Sequence, residues 1–363
     1  MQTASRIATI TPAQDPLTIP SALIGAMGPY FVDALPLPDG TGFQSAAILG
    51  SRLTSTGDVL AVLGWTADSN SLQLAPASLG PFTAVCGAPG GSMALARVDE
   101  NIPYIELHET GLTDSDWPRV GTITFDGISG RIPAILQRSG TLYGFVKTGG
   151  GSKNAFFSVE ARDGATPNIS YYDYEAPFAY FPMTTDGSLL AGIARPVAFH
   201  ENYLYAIGES HAYVLYAALD GSSVTQLAIP KSDTWGISID EEFGRAYGLY
   251  HPTSGDIMPY NIHGDGGWDR QGYDTLDGGF SASMAVDPNT AVLYTASAYF
   301  GLQVFDVQTN QTIPTSPRDH PLGAYFPYGG IWTDWAHGRI LLSMNGQDDS
   351  IPRIGFYQVS ISG

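Results

Sequence analysis

Between residues 291 and 313 the chain reads AVLYTASAYFGLQVFDVQTNQTI, with apolar positions recurring at every second residue. Val292, Tyr294 and Ala296 alternate with Leu293 and Thr295; after a short loop, Leu302, Val304 and Val307 carry a second apolar, β-prone run. DVQTNQT (306–312) then supplies the short polar side chains that favour a chain reversal. The pattern predicts a β-hairpin feeding a second turn, and so at least three antiparallel strands.

The same alternation returns along the chain. An apolar strand, a polar turn and a strand with a central aromatic or leucine recur. The later strands of these pairs are VLAVLGW (59–65), IPYIELHE (102–109), LYGFVKT (142–148), YLYAIGE (203–209), AYGLYHP (246–252), LYTASA (293–298) and ILLSMNG (340–346). Read as second strands and anchored on Leu60, Tyr104, Tyr143, Tyr205, Tyr247, Tyr294 and Leu341, they lie 44, 39, 62, 42, 47 and 47 residues apart. All but one spacing match a four-stranded propeller blade. The long one contains an aromatic insertion, YYDYEAPFAYFPMTTDG (171–187), and is too short to hide an eighth unit. A lone blade would expose both faces of a twisted sheet, whereas blades packed in a ring bury them. The expected fold is all-β: a seven-bladed β-propeller of four-stranded antiparallel blades.

The end of the chain offers only three strands for the last blade, GIWTDWA, RILLSMNG and RIGFYQVSI. SRIATIT (5–11) is predicted to supply the fourth and close the ring. Residues 12–40 are proline-rich and charged only at Asp15, Asp33 and Asp39. Such a stretch is too apolar for a solvated linker, so it reads as an arm packed on the propeller or on a partner. The expected division is a closing strand and apolar arm over 1–41, then a propeller over 42–363.

The 291–313 stretch resembles the YVTN repeat of propellers, which is related to the lactonase-like and NHL groups. That motif is a Tyr-containing strand, a small-residue loop, and a strand ending in Asp before a Thr/Asn turn. Leu293, Tyr294 and Thr295, then Val304, Asp306, Thr309 and Asn310, carry the resemblance, which is partial over 235–262. It implies the propeller fold. Through its lactonase-like members it also implies a competing function: hydrolysis of a sugar lactone or ester at the central channel. Propellers host many unrelated activities, so the fold does not choose among them.

Composition narrows the partners. Charged residues make up 14% of the chain, against about 25% in an average domain. The gap is filled by 43 glycines, 25 prolines and 20 tyrosines, which suit strands and turns rather than long amphipathic helices. The formal net charge is −19, with only three lysines, Lys147, Lys153 and Lys231. Such a surface repels phosphate backbones, which argues against nucleic acid. The single cysteine, Cys86, lies in the apolar run FTAVCG and reads as a small buried hydrophobe. The N-terminus lacks the basic and apolar regions of a signal peptide, and no run approaches the ~18 apolar residues of a membrane span. An acidic, lysine-poor, signal-less chain suggests an extracellular particle such as a phage virion or a surface appendage.

Candidate chemistry is sparse. P-loop, GxSxG, HExxH and EF-hand spacings are all missing from the sequence. HGDGGWDRQGYDTLDGG (263–279) gathers a histidine and four aspartates, but its spacing fits no known calcium loop and reads as a solvated turn. Asp240, Asp287 and Asp334 fall where first strands end and read as turn-forming acids. The expected catalytic, metal and cofactor sets are therefore empty. In a propeller the ends of second strands and the loops into first strands share a rim. The candidates for contact there are Trp65, His108, Glu109, His211, Trp235, His251, Tyr299, Tyr325, Phe326, Tyr328 and Trp332. Flat rings offer a large rigid area at low entropy cost, which suits protein or glycan contact. The sequence thus reads as a non-enzymatic binding or structural propeller, meeting other subunits through 12–40 and 171–183.

Overall fold

The computed structural model describes residues 6–13, 15–18, 30–35, 45–53, 57–65, 72–79, 82–110, 117–149, 153–177, 197–229, 234–250, 256–270, 276–277, 281–287, 289–297, 301–316, 325–334, 338–346 and 352–363. Among them the regular structure is β throughout, apart from one 3₁₀ turn at Pro89–Gly91. The strands form seven sheets; six are laid down in chain order, and the seventh takes in the N-terminal strand, which also pairs in parallel with Thr315–Ser316. The first is Tyr30–Leu35, Ser45–Leu53, Gly57–Trp65 and Leu72–Ser78. The second is Ala84–Ala88, Ser92–Asp99, Ile102–Glu109 and Arg119–Thr124. The third is Gly130–Arg138, Thr141–Thr148, Asn154–Glu160 and Asn168–Tyr172. The fourth is Val197–His200, Tyr203–Ile207, Tyr213–Ala218 and Val224–Ala228.

The fifth comprises Thr234–Asp240, Arg245–Tyr250, Asp256–Ile262 and Trp268–Arg270. The sixth comprises Ser281–Asp287, Val292–Ser297, Gly301–Asp306 and Gln311–Thr312. The seventh runs Tyr325–Asp334, Arg339–Gly346 and Pro352–Ser362, and Ile7–Pro12 completes it antiparallel to Pro352–Ser362. This is the expected all-β, seven-bladed propeller pattern, with the N-terminal strand supplying the missing strand of the last blade. Its register starts at Ile7 opposite Ser362 and ends at Pro12 opposite Tyr357.

The chain divides into two compact units: Met1–Phe31, Leu190–Ala194 and Thr234–Gly363 in one, Val32–Leu189 and Arg195–Asp233 in the other. In the first unit, the period-2 pattern of 292–296 is spent on two cores. Val292, Tyr294 and Ala296 face Ile331, Ile340, Leu342 and Met344 of the seventh sheet, together with Ala8 and Ile10. Leu293 and Phe305, from the opposite face, pack on Tyr247, Leu249 and Ile257 of the fifth. The Tyr247 hydroxyl donates to the Val307 carbonyl at 3.3 Å. Each fully buried Val, Leu or Ile contributes roughly 1.5–3 kcal/mol, so a sheet apolar on both faces needs a neighbour on each. In the second unit, Phe125 and Phe157 meet edge to face at 4.8 Å, and the Arg138 guanidinium stacks over Phe199 at 4.6 Å.

The structure shifts the frame of the first two blades. Tyr30–Leu35, within the stretch read as an arm, is a strand of the first sheet, so that sheet begins before residue 42. VLAVLGW and IPYIELHE are accordingly third strands, not second ones. Leu17–Thr18, also in the arm, pairs with Arg353 and Ile354.

Candidate functional site

In the second unit, charged groups gather where the second strands end. Strand alternation puts Tyr143, Phe145 and Lys147 on one face of the third sheet. The register sets Arg131 opposite Lys147 and Asn154 opposite Tyr172. The Phe145 and Tyr172 rings meet at 6.1 Å and 87°, so Tyr172 belongs to that face. The turn after Tyr203–Ile207 brings Glu209 against it. Lys147 Nζ lies 2.5 and 2.6 Å from the two carboxylate oxygens of Glu209, and the Arg131 guanidinium stands 3.6 Å from the same group.

Local sequence explains the placement of Glu209. A Cβ on Gly208 would come within 2.1 Å of the Glu175 carboxylate, so glycine lets residues 175–177 lie against this turn. The Glu209 N–H donates to the Ala176 carbonyl at 2.9 Å. Glu175 accepts from the Ser210 N–H at 3.1 Å and from its hydroxyl at 2.8 Å. Beside them, Tyr172 keeps only 5% of its surface exposed, and its hydroxyl has no hydrogen-bond partner among the described residues. Burial, and then the charges of Glu209 and Glu175, push its ionisation well above the usual phenol value. It therefore remains a neutral hydroxyl, a donor without an acceptor.

An open groove of about 260 Å³ is lined by Val98 and Asn101 of the second sheet and by Gly130, Arg131, Lys147 and Thr148 of the third. The Gly130 N–H donates to the Asn101 carbonyl at 2.7 Å. Gly130 sits at φ 144°, where a Cβ would lie 2.1 Å from the Lys147 carbonyl oxygen. Glycine alone permits this approach. Arg131 and Lys147 thus stand against Glu209, with the Glu175 carboxylate held beside the same turn, in a chain of net charge −19. Lys147 and Glu209 retain 36% and 33% side-chain exposure, and ion pairs this exposed contribute about 0.2–1 kcal/mol. The pair can open at little cost.

Of the residues singled out from sequence, His211 lies two residues after Glu209 in the same turn, at φ 58°, its N–H donating to the Gly208 carbonyl at 2.9 Å. Trp65, His108 and Glu109 end third strands. In an antiparallel sheet those ends lie opposite the ends of the second strands. His108 is also no surface contact, because it is 7% exposed and its ring is engaged on both sides. Nδ1 lies 2.8 Å from the Trp117 carbonyl, and Nε2 lies 3.1 Å from the Glu106 carboxylate. Glu106 also accepts from Arg97 and Arg119. Burial alone would raise the Glu106 pKa, but the His108, Arg97 and Arg119 donors outweigh it and hold it below the usual carboxylate value. This is a structural network joining three strands.

Trp235 lies on the first strand of the fifth sheet, and Tyr325, Phe326, Tyr328 and Trp332 on that of the seventh. His251 and Tyr299 fall outside the described residues. Residues 263–267 form a turn leading into Trp268–Arg270, held by the Gly267 N–H to Asp265 at 3.0 Å and by an exposed His263–Asp269 pair at 2.8 Å. Sequence reasoning missed Arg131, Tyr172 and Glu175. The alternation through Tyr143, Phe145 and Lys147 was the available signal, but it needed the register of the neighbouring strands.

No protein-family model matches the chain, and no curated protein matches it in sequence. Its fold is shared with a solved structure from Bacteroides uniformis, a protein assigned provisionally as a 6-phosphogluconolactonase. The two superpose with a TM-score of 0.50 over 87% of this chain and 99% of that one, at 12% sequence identity. Matches extend to 1108 solved chains, as expected of a widely reused fold. The likeness establishes a propeller fold of the type that lactonase also adopts.

Proposed function

We propose that the chain is a non-enzymatic β-propeller that binds a partner through the strand-end surface of its second unit, as a component of a larger extracellular assembly. The observation that carries this reading is the exposure of Tyr171 and Tyr174, 58% and 40%, where the aromatic insertion begins. Their backbone is fixed: Asn154 donates to the Tyr174 carbonyl at 2.8 Å, and Glu175 is bonded twice to Ser210. Rings presented from an ordered backbone lose little entropy on binding. A protein surface or a glycan suits them equally. The aromatic strand positions from Trp235 to Trp332 and the 12–40 segment are further proposed contacts. Radical footprinting of the native particle against the isolated chain tests the reading. Tyr171 and Tyr174 are expected to be protected in the particle; equal labelling in both samples, or a chain that sediments only as a monomer from its native source, overturns it.

Lactonase-like hydrolysis is the second reading, favoured by Arg131 and Lys147 beside the groove. Two cations there would suit the oxyanion that develops as a lactone opens. Turnover of a sugar lactone that disappears in Arg131→Gln would replace the first reading with this one.

A further inference from the structure

We infer that an open cavity at the Thr141–Glu160 end of the third sheet is a binding site for a neutral saccharide unit, read through its hydroxyl groups. The cavity encloses about 360 Å³, and its lining includes Thr141, Ser158, Glu160, Arg162, Gly164 and Thr166. Lys147 lies towards the far end of the strand that Thr141 begins, so this site is separate from the Lys147 cluster and from the partner reading.

Three observations carry the inference. The first is the supply of hydrogen-bonding groups. The register sets Thr141 opposite Glu160 and Tyr143 opposite Ser158, so alternation puts Thr141, Ser158 and Glu160 on one face. The hydroxyls of Thr141, Ser158 and Thr166 make no hydrogen bond among the described residues. A hydroxyl both donates and accepts, whereas a carboxylate only accepts and an ammonium only donates. Three unpaired hydroxyls around one cavity therefore match a ligand that is itself rich in hydroxyls. The second observation is charge. Glu160 and Arg162 form an exposed ion pair within the lining. Their charges cancel, so the cavity favours neither sign of ligand. The pair still has capacity to spare, because a carboxylate accepts several bonds and a guanidinium carries five N–H donors. Two adjacent hydroxyls of a sugar can donate to Glu160 and accept from Arg162. An apolar ligand would strip water from these groups and return no hydrogen bond. The third observation is that the cavity is built in advance. The Ala161 N–H donates to the Gly140 carbonyl at 2.9 Å, and the Gly164 N–H to the Thr122 carbonyl at 3.0 Å. Asp163 in turn accepts the Thr122 N–H at 2.8 Å, so the turn is held to its own sheet and to the second. A preformed wall lowers the ordering cost of binding. The volume falls at the low end of the range for ligand pockets, about 300–1,000 Å³, which suits one sugar unit with the rest of a glycan in solvent.

Saturation-transfer NMR and calorimetric titration of the full chain test the inference, with methyl α-glucoside, methyl α-mannoside and methyl β-galactoside as probes. Cyclohexanol supplies a ring with one hydroxyl, and N-acetylglycinamide supplies the groups of a peptide. At least one glycoside is expected to bind, and both controls to fail. Ser158→Ala and Thr166→Val are each expected to weaken that glycoside about two- to tenfold, the span of one hydrogen bond. Glu160→Gln, which removes a charged acceptor, is expected to weaken it about tenfold or more. Lys153→Gln, just before the strand that ends at Glu160, should change nothing. Thermal melts confirm that each variant is folded. Binding of no glycoside, equal binding of either control, or glycoside binding unaltered in the Ser158→Ala/Thr166→Val double variant overturns the inference. None of these outcomes bears on the partner reading, which the protection of Tyr171 and Tyr174 tests by itself.

Discussion

Arg6 donates to the Asp306 carboxylate and to the Thr290 carbonyl oxygen, the latter at 2.6 Å, and so ties the N-terminal strand to the sixth sheet. Asp306 also accepts the N–H groups of Gln308 and Thr309 at 2.9 and 2.8 Å. Burial alone would raise its pKa; the hydrogen bonds from Arg6 and Thr309 outweigh burial and hold it below the usual value. A carboxyl depressed in the folded state contributes stability above its unfolded pKa and loses it as pH falls through the folded one. Asp306→Asn is therefore expected to lower the melting temperature at pH 7. The difference from the native chain should shrink once pH falls below about 3.9. A difference of the same size at pH 7 and pH 3 would show that Asp306 is not stabilised through its charge.

The strand that Arg6 precedes has larger consequences. Ile7–Pro12 pairs along its whole length with the C-terminal strand, and Ala8 and Ile10 are 0% and 1% exposed within the core of the first unit. Removing residues 1–12 would open a sheet edge and uncover that core. For a chain of this size each kcal/mol shifts the melt by about 2–4 °C. A truncation costing several kcal/mol should thus lower it by roughly 5–15 °C in calorimetry. An unchanged melt would mean that the strand contributes nothing to closure.

Glu106 separates buried from exposed pairing within one network. It is 8% exposed, and Arg97, His108 and Arg119 all contact it. Replacing it with Gln leaves the largely buried Arg97 guanidinium without its charge partner, a loss of about 3 kcal/mol. Arg119 is 59% exposed, so Arg119→Gln should cost under about 1 kcal/mol. Denaturant midpoints report both. Equal losses for the two variants would contradict the ranking.

The number of blades and the closing strand were legible in the sequence, because a period of two and a regular recurrence follow directly from strand geometry and blade packing. The frame of the first two blades was not. Leu60 and Tyr104 lie on third strands, yet their hairpins carry the same alternation as those of second strands, and a shift shared by neighbouring blades preserves the spacing between them. Tyr30–Leu35 stayed hidden in a proline-rich stretch that read as an arm. The turn-forming acids were legible because an aspartate acts on the N–H groups two and three residues ahead. Asp287 accepts from Asn289 and Thr290 at 2.9 and 3.3 Å. The Arg131, Lys147, Glu209 and Tyr172 cluster was not legible, because it depends on register across strands and on how the start of the insertion lies against the fourth sheet.

Asp240 reverses the sign found at Asp306. Its residue is 0% exposed; one oxygen accepts the N–H groups of Glu242 and Phe243 at 3.0 and 3.2 Å, and the other has no partner among the described residues. Burial is the dominant influence and raises its pKa more than those two donors, or Arg245 across the strand, lower it. A carboxyl raised in the folded state opposes folding while it is ionised, so its contribution improves as pH falls from neutral through the raised value. Asparagine keeps the oxygen that accepts both N–H groups and removes the buried charge. It leaves an amide N–H₂ to be satisfied, at about 1–3 kcal/mol, against a penalty of several kcal/mol for a poorly paired buried ion. Asp240→Asn is expected to raise the melting temperature at pH 7, and its advantage should fade as pH is lowered and the native carboxyl takes up its proton. A variant less stable than the native chain at pH 7 would show that Arg245 compensates the Asp240 charge.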